Sequence, residues 1–401
     1  MVKIPSDKFY FMKKINLTSL FKVILLLTAC IITWFVFNFF KNSKGQEPIF
    51  EIPQPTPLST ASRNYFFQKS DSWFKQTLQN QNFEGEIIVA KNGNIVFQHS
   101  DENKIRKTKN STIEKSIHIA SVSKTFTAMA TIRLCQEKKI ELDQLFQRYF
   151  PAFNYPGVTI RSLLNHRSGL PNYIYFMEDL GWNKKLFMKN GDVLQWMIAK
   201  KGEIKNIEKP NRRFNYCNTN YVLLALLIEK ISGEPFPAYL KRTLFYPLQM
   251  EHTFVYTDAD SLRANHSYNW KGQTEAFTYL DKTYGDKNIF STAADLLKWD
   301  RLLRTNEYLN TEFLEQVYKP YSHEHKGTRN YGLGWRMLLT TDDNPIIYHN
   351  GWWHGNNAVF IRLLKEDATI IVLGNRYNRN IYKARELIGL FKENFQLDLV
   401  D

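Results

Sequence analysis

The sequence HIASVSKTFTA, residues 118–128, opens an apolar run that extends to Cys135. Such a run predicts a helix that is buried on most of its faces. Ser121 and Lys124 lie three residues apart, just under one helical turn, so the hydroxyl and the amine should point the same way. A helix N-terminus also offers unpaired backbone N–H groups. This stretch therefore predicts a nucleophile, a base and donors for an oxyanion in one place.

The Ser-x-x-Lys spacing is not specific by itself, because it also occurs at residues 19–22 and 72–75. The first copy flanks an apolar N-terminal run. The second copy, Ser72 and Lys75, lies on an amphipathic helix predicted over Tyr65–Gln79, where both side chains should face solvent. A catalytic role for Ser121 and Lys124 therefore depends on further motifs.

Composition narrows the possible functions of the chain, which has 401 residues, 43% of them hydrophobic, and a net charge of +14. The first 44 residues hold seven Lys and one Asp, which contribute +6, and the remaining +8 is thinly spread. No basic cluster is interleaved with aromatic residues, so nucleic acid is not an expected partner. Three cysteines, an odd count, do not suggest a disulfide framework.

The N-terminal region predicts a membrane anchor. Residues 23–40 form an uncharged run that would span about 27 Å as a helix, close to the thickness of a hydrocarbon core. The basic segment 1–22 would stay in the cytoplasm, and the body of the protein would lie outside. A cleaved signal peptide and a lipoprotein site at Cys30 are alternatives, but no small-x-small site follows the run, and mostly apolar residues follow Cys30. Residues 41–60 then read as a Pro-rich linker, and 61–401 as one domain.

Strand patterns near both ends of the domain enclose a mostly helical middle. The early strands are Phe83–Ala90 and Ile95–His99, joined by a hairpin turn at residues 91–94. The predicted helices after the Ser121 helix cover Ile160–His166, Asp192–Lys200, Thr219–Ser232, Ser291–Arg304 and a last helix over 381–395. The late strands are Ile346–His349, Ala358–Leu363 and Thr369–Leu373. This order predicts an α+β fold with an antiparallel sheet built from both ends of the chain, flanked by helices, and an inserted helical lobe.

Two further motifs could complete a site with Ser121. Tyr216 and Asn218 stand two residues apart at a helix start, where a phenol can relay a proton and an amide can hold a carbonyl. A helix cap with a packed aromatic ring is the alternative. His349 and Gly351 end a predicted strand, and the glycine would admit a ligand close to the backbone. A strand-to-turn junction is the alternative there, and a metal site made by His349 and His354 lacks a clear third ligand.

Ser-x-x-Lys, then Tyr-x-Asn, then His-x-Gly, in this order, resembles the penicillin-recognising serine hydrolases. The branch it is most similar to holds class C β-lactamases, D-alanyl-D-alanine carboxypeptidases and related esterases. The resemblance covers about residues 83–375, with supporting stretches at 163–171, 246–250, 291–295 and 331–335. It implies a β-lactamase/transpeptidase-like fold and a catalytic domain on the outer, periplasmic side of a bacterial inner membrane, held by a single span.

The resemblance also implies roles for individual residues. Ser121 would be the acylated nucleophile and Lys124 the base, with Tyr216 sharing the proton transfers; whether Lys124 or Tyr216 takes the first proton stays open. The backbone N–H groups of Ser121 and Trp352 would hold the oxyanion. The residues expected to contact substrate are Asn218, His349, Gly351 and Trp352.

These expectations favour a serine hydrolase that acts through an acyl-enzyme on an amide or ester of a small molecule or peptide, including peptidoglycan-derived peptides. Neither a cofactor nor a metal is expected. His349 stands where many relatives have Lys, and a mostly neutral imidazole would bind a substrate carboxylate weakly. A D-Ala-D-Ala-type peptidase or an esterase is therefore favoured over an efficient β-lactamase. The alternative is a non-catalytic sensor or binding protein for cell-wall fragments.

Overall fold

The computed structural model describes residue 28, residues 50–101, 115–261, 264–324 and 327–393, and residue 395. The predicted cytoplasmic segment 1–22 and the predicted anchor 23–40 lie outside these residues, except for residue 28, so the anchor stays a prediction. Within the described ranges, no helix is both long and apolar enough to cross a membrane. A compact unit begins at Phe50.

A seven-stranded antiparallel sheet organises this unit. The strands of the described residues are β1 Gly85–Lys91, β2 Asn94–Ser100, β3 Ile117–His118, β4 Phe254–Val255, β5 Ser267–Tyr268, β6 Thr274–Glu275, β7 Ile289–Ser291, β8 Arg329–Tyr331, β9 Arg336–Leu338, β10 Ile346–Trp353, β11 Asn356–Leu363 and β12 Ala368–Gly374. The large sheet has the order β2-β1-β12-β11-β10-β9-β8. Its first and last strands in the chain are neighbours, with Gly85 opposite Gly374. The prediction of a sheet built from both chain ends is therefore confirmed.

Helices supply most of the segment between the early and late strands. The α-helices of the described residues are α1 Thr60–Phe74, α2 Ser123–Gln136, α3 Ile160–Leu164, α4 Tyr173–Asp179, α5 Asn190–Ala199, α6 Asn218–Ser232, α7 Phe236–Leu240, α8 Ala293–Leu302 and α9 Thr311–Val317. π-Helical turns occupy Lys75–Gln79 and Lys241–Phe245, and 3₁₀ turns occupy Ala120–Val122, Phe146–Arg148, Asp258–Asp260 and Arg379–Leu390. The predicted helices between residues 160 and 304 are present, with bounds that differ from the predicted ones by at most two residues.

The alternation of side chains along the central strands creates two apolar layers. On β1, Ile87 and Val89 point to a core that also contains residues of α1 and of the C-terminal 3₁₀ segment. Ile88 and Ala90 point to the opposite and larger core, which contains residues of α2, α6 and α8. The sheet therefore lies between two helical layers, as a strand buried on both faces requires.

Residues 50–59, predicted as part of a linker, pack against the domain instead. Phe50 is buried, and its ring centroid lies 5.8 Å from that of Tyr308. The Thr56 amide donates to the carbonyl of Asn92 at 2.9 Å, and the Asn94 side chain donates to the Thr56 carbonyl at 2.6 Å. The hairpin turn between β1 and β2 therefore fixes this extended segment, and only residues 41–49 of the predicted linker lie outside the described structure.

Three further differences from the sequence predictions concern secondary structure. The C-terminal segment predicted as an α-helix is a 3₁₀ helix over Arg379–Leu390, although its buried face still carries Ile381 and Ala384. β10 does not end at His349 but continues to Trp353. A small sheet of order β3-β7-β4 was not predicted, because strands of two or three residues show no periodicity.

Candidate active site

Ser121 lies at a sharp corner between β3 and α2. β3 pairs with β7. Ala120, which lies two residues after the end of β3, has a φ of +49°, which is uncommon for a residue with a Cβ. The Ala120 amide donates to Nδ1 of His118 at 3.1 Å, while Nε2 of His118 donates to Asn288 at 2.9 Å. Burial lowers the pKa of His118 to about 4, so a neutral imidazole is available to hold this corner.

Lys124 extends from the first turn of α2 towards Ser121, as its spacing predicted. Nζ of Lys124 lies 3.1 Å from Oγ of Ser121 and donates to the backbone carbonyl of Asp286 at 2.7 Å. The Lys124 side chain is fully buried. The amine of Lys124 is therefore shielded from water and fixed by the Asp286 carbonyl. It faces the hydroxyl of Ser121, which lines an open cleft.

Tyr216 and Asn218 line the same cleft as Ser121, where α6 begins. Nζ of Lys124 lies 5.0 Å from the centroid of the Tyr216 ring. The four groups predicted to converge are those of residues 121, 124, 216 and 349, and the structure places them close together. Lys124 contacts both Ser121 and Tyr216, and the rings of Tyr216 and His349 are 6.4 Å apart between centroids.

His166 packs against the ring of Tyr216. The sequence patterns did not indicate this contact. Its ring lies 4.4 Å from the Tyr216 ring between centroids, and its Nδ1 accepts from the amide of Cys217 at 3.1 Å. Burial and, to a lesser degree, Lys124 and Arg336 hold the pKa of His166 well below its usual range. The stretch 163–171, for which the sequence suggested no chemistry, thus fixes the start of α6.

His349 is close to the predicted site but does not line the cleft. It is fully buried; Nδ1 donates to the Asn350 carbonyl at 2.7 Å, and Nε2 accepts from the Tyr331 hydroxyl at 3.2 Å. Burial, followed by the charges of Arg336 and Lys124, holds the pKa of His349 well below its usual range. The lowered pKa agrees with the neutral imidazole expected from the sequence. The expected contact of His349 with substrate stays a prediction, because the side chain is buried and is not among the residues that line the cleft.

The absence of a side chain at Gly351 allows β10 to lie close to Ser121. A Cβ at this position would lie 2.4 Å from the carbonyl oxygen of Ile119 and 3.1 Å from the amide nitrogen of Ser121. The carbonyl of Gly351 is fixed from the other side by the Tyr382 hydroxyl at 2.8 Å. The strand therefore runs directly beside the Ser121 amide, and Trp352, the next residue, lines the cleft.

Arg336 is a cleft residue that the sequence analysis missed. Its guanidinium lies 4.9 Å from the centroid of the Tyr216 ring. Burial acts to lower the pKa of Arg336, but the hydroxyls of Tyr216, Tyr348 and Tyr331 outweigh it and raise the pKa. The cation of Arg336 is therefore held beside tyrosine side chains in the cleft.

A second buried lysine, Lys287, also lines the cleft. Lys287 donates to Thr283 at 2.6 Å and to the Tyr173 hydroxyl, and it lies 3.3 Å from the carboxylate of Asp286. Burial lowers the pKa of Lys287, although Asp286 opposes this shift. The contact with Lys287 fixes Asp286, and the backbone carbonyl of Asp286 accepts a hydrogen bond from Lys124. This pair was not predicted from the sequence, because the Tyr173 hydroxyl that completes it comes from a segment 114 residues away.

The two histidines considered as metal ligands take different partners. His354 contacts both carboxylate oxygens of Asp281 at 3.0 Å, whereas His349 bonds to Tyr331. Although burial opposes it, the bond with His354 lowers the pKa of Asp281 to about 2. Among the described residues, no group of three His, Cys, Asp or Glu side chains is arranged to hold a metal ion.

Comparisons with known proteins agree with this geometry. The Beta-lactamase family matches residues 71–389. Penicillin-binding protein 4* of Bacillus subtilis is 32% identical over 343 residues, which cover 79% of this chain and 74% of that protein. The chain also matches the protein flp of Staphylococcus aureus at 27% identity over 80% of this chain, but spans only 65% of its length.

Solved structures share the fold at lower sequence identity. The octameric penicillin-binding protein homologue from Pyrococcus abyssi superimposes with a TM-score of 0.68 and 21% identity, over 80% of this chain and 76% of that one. EstCE1, described as a hydrolase with promiscuous acyltransferase activity, gives a TM-score of 0.67 at 18% identity, over 82% of this chain and all of that one. With its Ser-x-x-Lys sequence at the start of α2, the chain belongs to the Beta-lactamase family of penicillin-recognising serine hydrolases.

Proposed function

We propose that this serine hydrolase cleaves the amide bond of peptides that end in a free carboxylate, in the manner of a D-Ala-D-Ala peptidase. The observation that supports a covalent mechanism is the 3.1 Å approach of the buried Lys124 Nζ to Oγ of Ser121 at the cleft. Such a pair can convert a serine hydroxyl into a nucleophile without a metal ion.

The reaction would run in two halves. Oγ of Ser121 attacks the substrate carbonyl carbon while its proton passes to Nζ of Lys124, which acts as the base. The oxyanion then lies against the backbone N–H groups of Ser121 and Trp352. Collapse of this intermediate breaks the carbon–nitrogen bond, and the leaving amine takes a proton through Tyr216. Water then attacks the ester on Ser121, with the same groups moving protons in reverse.

Arg336 supports the choice of a substrate with a carboxylate. The cation stacks on the ring of Tyr216, so an anion bound to it would lie beside the groups that move protons. A guanidinium can hold a carboxylate through two parallel hydrogen bonds. A neutral His349 alone would have favoured esters, but Arg336 provides the positive charge that His349 lacks. An esterase remains the second candidate, because EstCE1 shares the fold.

Labelling tests the nucleophile. Ser121→Ala should abolish labelling by a fluorescent penicillin or a fluorophosphonate. Ser72→Ala is the matched control, because Ser72 belongs to another Ser-x-x-Lys sequence that lies exposed on α1. Equal labelling of wild type and Ser121→Ala would refute the assignment. Binding of cell-wall peptides without turnover in either protein would instead support a sensor.

A substrate comparison tests the role of Arg336. Arg336→Met should lower kcat/KM for a D-Ala-D-Ala peptide by roughly 10- to 100-fold, while turnover of a short-chain ester changes little. The same peptide with an amidated C-terminus is the matched control and should be insensitive to the change. An equal loss for the free acid and the amide would contradict carboxylate recognition.

We also propose that residues 23–40 anchor the protein in a bacterial inner membrane, with the catalytic domain in the periplasm. The support is the length of the uncharged run and the basic residues before it. Fractionation of the full chain and of a chain that starts at residue 45 tests this. Recovery of the full chain in the soluble fraction would argue against an anchor.

A further inference from the structure

Asp281 is a buried residue that has no part in the proposed proton transfers, yet its carboxylate bonds to two residues that line the cleft. Oδ1 of Asp281 accepts from the indole Nε1 of Trp353 at 2.5 Å, and both carboxylate oxygens lie 3.0 Å from Nε2 of His354. The hydroxyl and the backbone amide of Thr278 donate to Oδ2. Although burial opposes it, this set of donors, with His354 foremost, lowers the pKa of Asp281 to about 2. The carboxylate is therefore ionised and fixed by three neighbouring residues.

His354 lies in the turn between β10 and β11, in a backbone conformation that residues with a side chain rarely adopt. Its φ is +51°, in the left-handed region. A residue other than glycine keeps such a conformation only where its surroundings fix it, and the bond to Asp281 is a contact of this kind. The carbonyl of His354 also accepts from Nε1 of Trp352 at 2.9 Å. Through His354, the carboxylate of Asp281 therefore helps to fix both the turn and the Trp352 side chain.

Trp353, the second partner of the carboxylate, is the last residue of β10 and is fixed by two contacts. Its indole N–H donates to Asp281, and Nζ of Lys287 lies 4.7 Å from the centroid of its ring. In the ladder between β10 and β11, Trp353 is opposite Asn356. Trp353 directly follows Trp352, whose amide is one of the two proposed donors to the oxyanion. A shift of the Trp353 side chain would therefore reach that amide through the short backbone segment between them.

The backbone of Asp281 is connected to the other proposed donor, the amide of Ser121. The carbonyl of Asp281 accepts from Nδ2 of Asn288 at 2.7 Å. The side-chain oxygen of Asn288 accepts from Nε2 of His118 at 2.9 Å, and Nδ1 of His118 accepts from the Ala120 amide at 3.1 Å. All of these residues are buried, so water does not compete for the bonds. A continuous chain of hydrogen bonds therefore leads from Asp281 to the residue before Ser121.

The loop 281–288, which begins with Asp281, is itself fixed to the helical lobe. The Tyr284 amide donates to the side-chain oxygen of Asn190 at 2.9 Å, and Nδ2 of Asn190 donates to the Tyr284 carbonyl at 2.8 Å. The same loop holds Lys124 through the carbonyl of Asp286 at 2.7 Å. One fixed segment therefore contacts the proposed base, the corner before the nucleophile and the turn after β10.

We propose that Asp281 is a positioning residue whose carboxylate fixes the separation of the two backbone N–H groups that hold the oxyanion. The inference deepens the proposed function and rests on it for the identity of these donors, which belong to Ser121 and Trp352. Donors stabilise a developing charge best when they are already in place and need not move during the reaction. Loss of the carboxylate should therefore slow acylation without changing how tightly a ligand first binds.

The kinetics of inactivation by a fluorophosphonate test the effect on the reaction. Asp281→Asn keeps the shape of the side chain but removes its charge and one acceptor oxygen. The maximal rate of inactivation should fall roughly 10- to 100-fold, whereas the concentration that gives half of this rate should stay within about 2-fold of the wild-type value. Asp258→Asn is the matched control, because Asp258 is exposed and pairs with Lys282, the residue next to Asp281. It should react at the wild-type rate.

Hydrogen exchange of the free protein tests the effect on the structure without any reaction. Asp281→Asn should speed exchange of the amides of residues 351–355 by at least about 10-fold, while the amides of β1, Gly85–Lys91, keep their wild-type rates. A general loss of stability would instead speed exchange in both regions. Trp353→Phe, which removes only the indole donor, is a second and milder variant. It should change exchange and inactivation in the same direction as Asp281→Asn.

Ser121→Ala separates the failure of this inference from the failure of the proposed function. Equal labelling of Ser121→Ala and wild type would refute the proposed nucleophile, even if Asp281→Asn still loosens residues 351–355. Loss of labelling in Ser121→Ala, together with wild-type inactivation of Asp281→Asn and Trp353→Phe, would overturn the positioning role alone. Slower inactivation of both variants with wild-type exchange at residues 351–355 would also overturn it, because the effect would then not pass through the turn. A change in the half-saturating concentration alone would do the same.

Discussion

The floor and the rim of the cleft are built in opposite ways. The floor is the buried layer next to the cleft that contains Lys124 and His349; both are fully buried, and each makes two hydrogen bonds that fix its polar atoms. On the rim, Tyr175, Trp270 and Trp352 keep 63–66% of their surface exposed. The floor is therefore constrained both by packing and by hydrogen bonding, whereas the rim can change without disturbing the fold. The difference suggests that the chemistry resides in the floor and the choice of substrate in the rim.

Replacement of a floor residue that contacts Ser121 should have the largest effect. Lys124→Met removes the amine at 3.1 Å from the Ser121 hydroxyl and should slow acylation by roughly 10²- to 10⁴-fold. Stopped-flow measurement of acyl-enzyme formation checks this. Lys75→Met, in the exposed Ser-x-x-Lys sequence of α1 and its π-helical extension, should leave the rate unchanged. A Lys124→Met enzyme that acylates normally would remove this lysine from the mechanism.

Gly351→Ala should disturb the floor through packing alone. The added methyl would lie 2.4 Å from the Ile119 carbonyl oxygen, so β10 or the corner at Ser121 must shift, at a cost of about 1–3 kcal/mol in unfolding free energy. Gly191→Ala is the control, because a Cβ there meets nothing within 4 Å and a helix favours alanine. Urea unfolding measures both. If the two variants prove equally stable, close approach of β10 to Ser121 is not limiting.

Acidification should weaken the floor more than the rim. The pKa values of His118, His166 and His349 are all lowered by burial, that of His118 to about 4. Between pH 6.5 and 4 the unfolded chain therefore binds protons that the native chain does not, and stability present above pH 6.5 is lost as the pH falls. Each histidine contributes at most about 1 kcal/mol per pH unit.

Unfolding by urea between pH 7.5 and 4.5 measures this loss. His118→Gln should show a shallower dependence on pH than the wild type, whereas His323→Gln, at an exposed position, should keep the wild-type slope. The carboxyl group of Asp281, with a pKa of about 2, stays ionised over this range and does not contribute. A stability that is constant between pH 7.5 and 4.5 would contradict neutral buried histidines.

A change at the rim should have the smallest effect on stability. Tyr175→Ser removes a side chain that is 66% exposed, and the unfolding free energy should stay within about 0.5 kcal/mol of the wild-type value. Thermal unfolding checks this. A loss comparable to that of Gly351→Ala would mean that the rim, too, is part of the folded core.

Local patterns in the sequence predicted the parts of the site that depend on one helical turn. Ser121 with Lys124, and Tyr216 with Asn218, have their geometry set within three residues, and the structure places both pairs at one cleft. The order of strand patterns along the chain was also sufficient to predict a sheet made by both ends.

The parts that could not be predicted depend on contacts between distant segments. Arg336 reaches the cleft because β9 pairs with β10 and sets it opposite Tyr348, a register that no local pattern encodes. His349 is buried, and its Nε2 accepts a hydrogen bond from the hydroxyl of Tyr331 on β8, a residue that is distant in the sequence. Lys287 has the nearby partners Thr283 and Asp286, but its third partner, the Tyr173 hydroxyl, comes from a segment 114 residues away, a contact that no local pattern encodes.

The pairing of β1 with β12 has a consequence for synthesis. Gly85 and Gly374 are opposite each other, so β1 has no partner on that edge until almost the whole chain has left the ribosome. Since closing so long a loop is slow, the nascent chain must wait for its last strand before the sheet can assemble. A polypeptide cut off between residues 354 and 367 would therefore carry Ser121, Lys124, Tyr216 and Trp352 but would lack β12, the strand that pairs with β1.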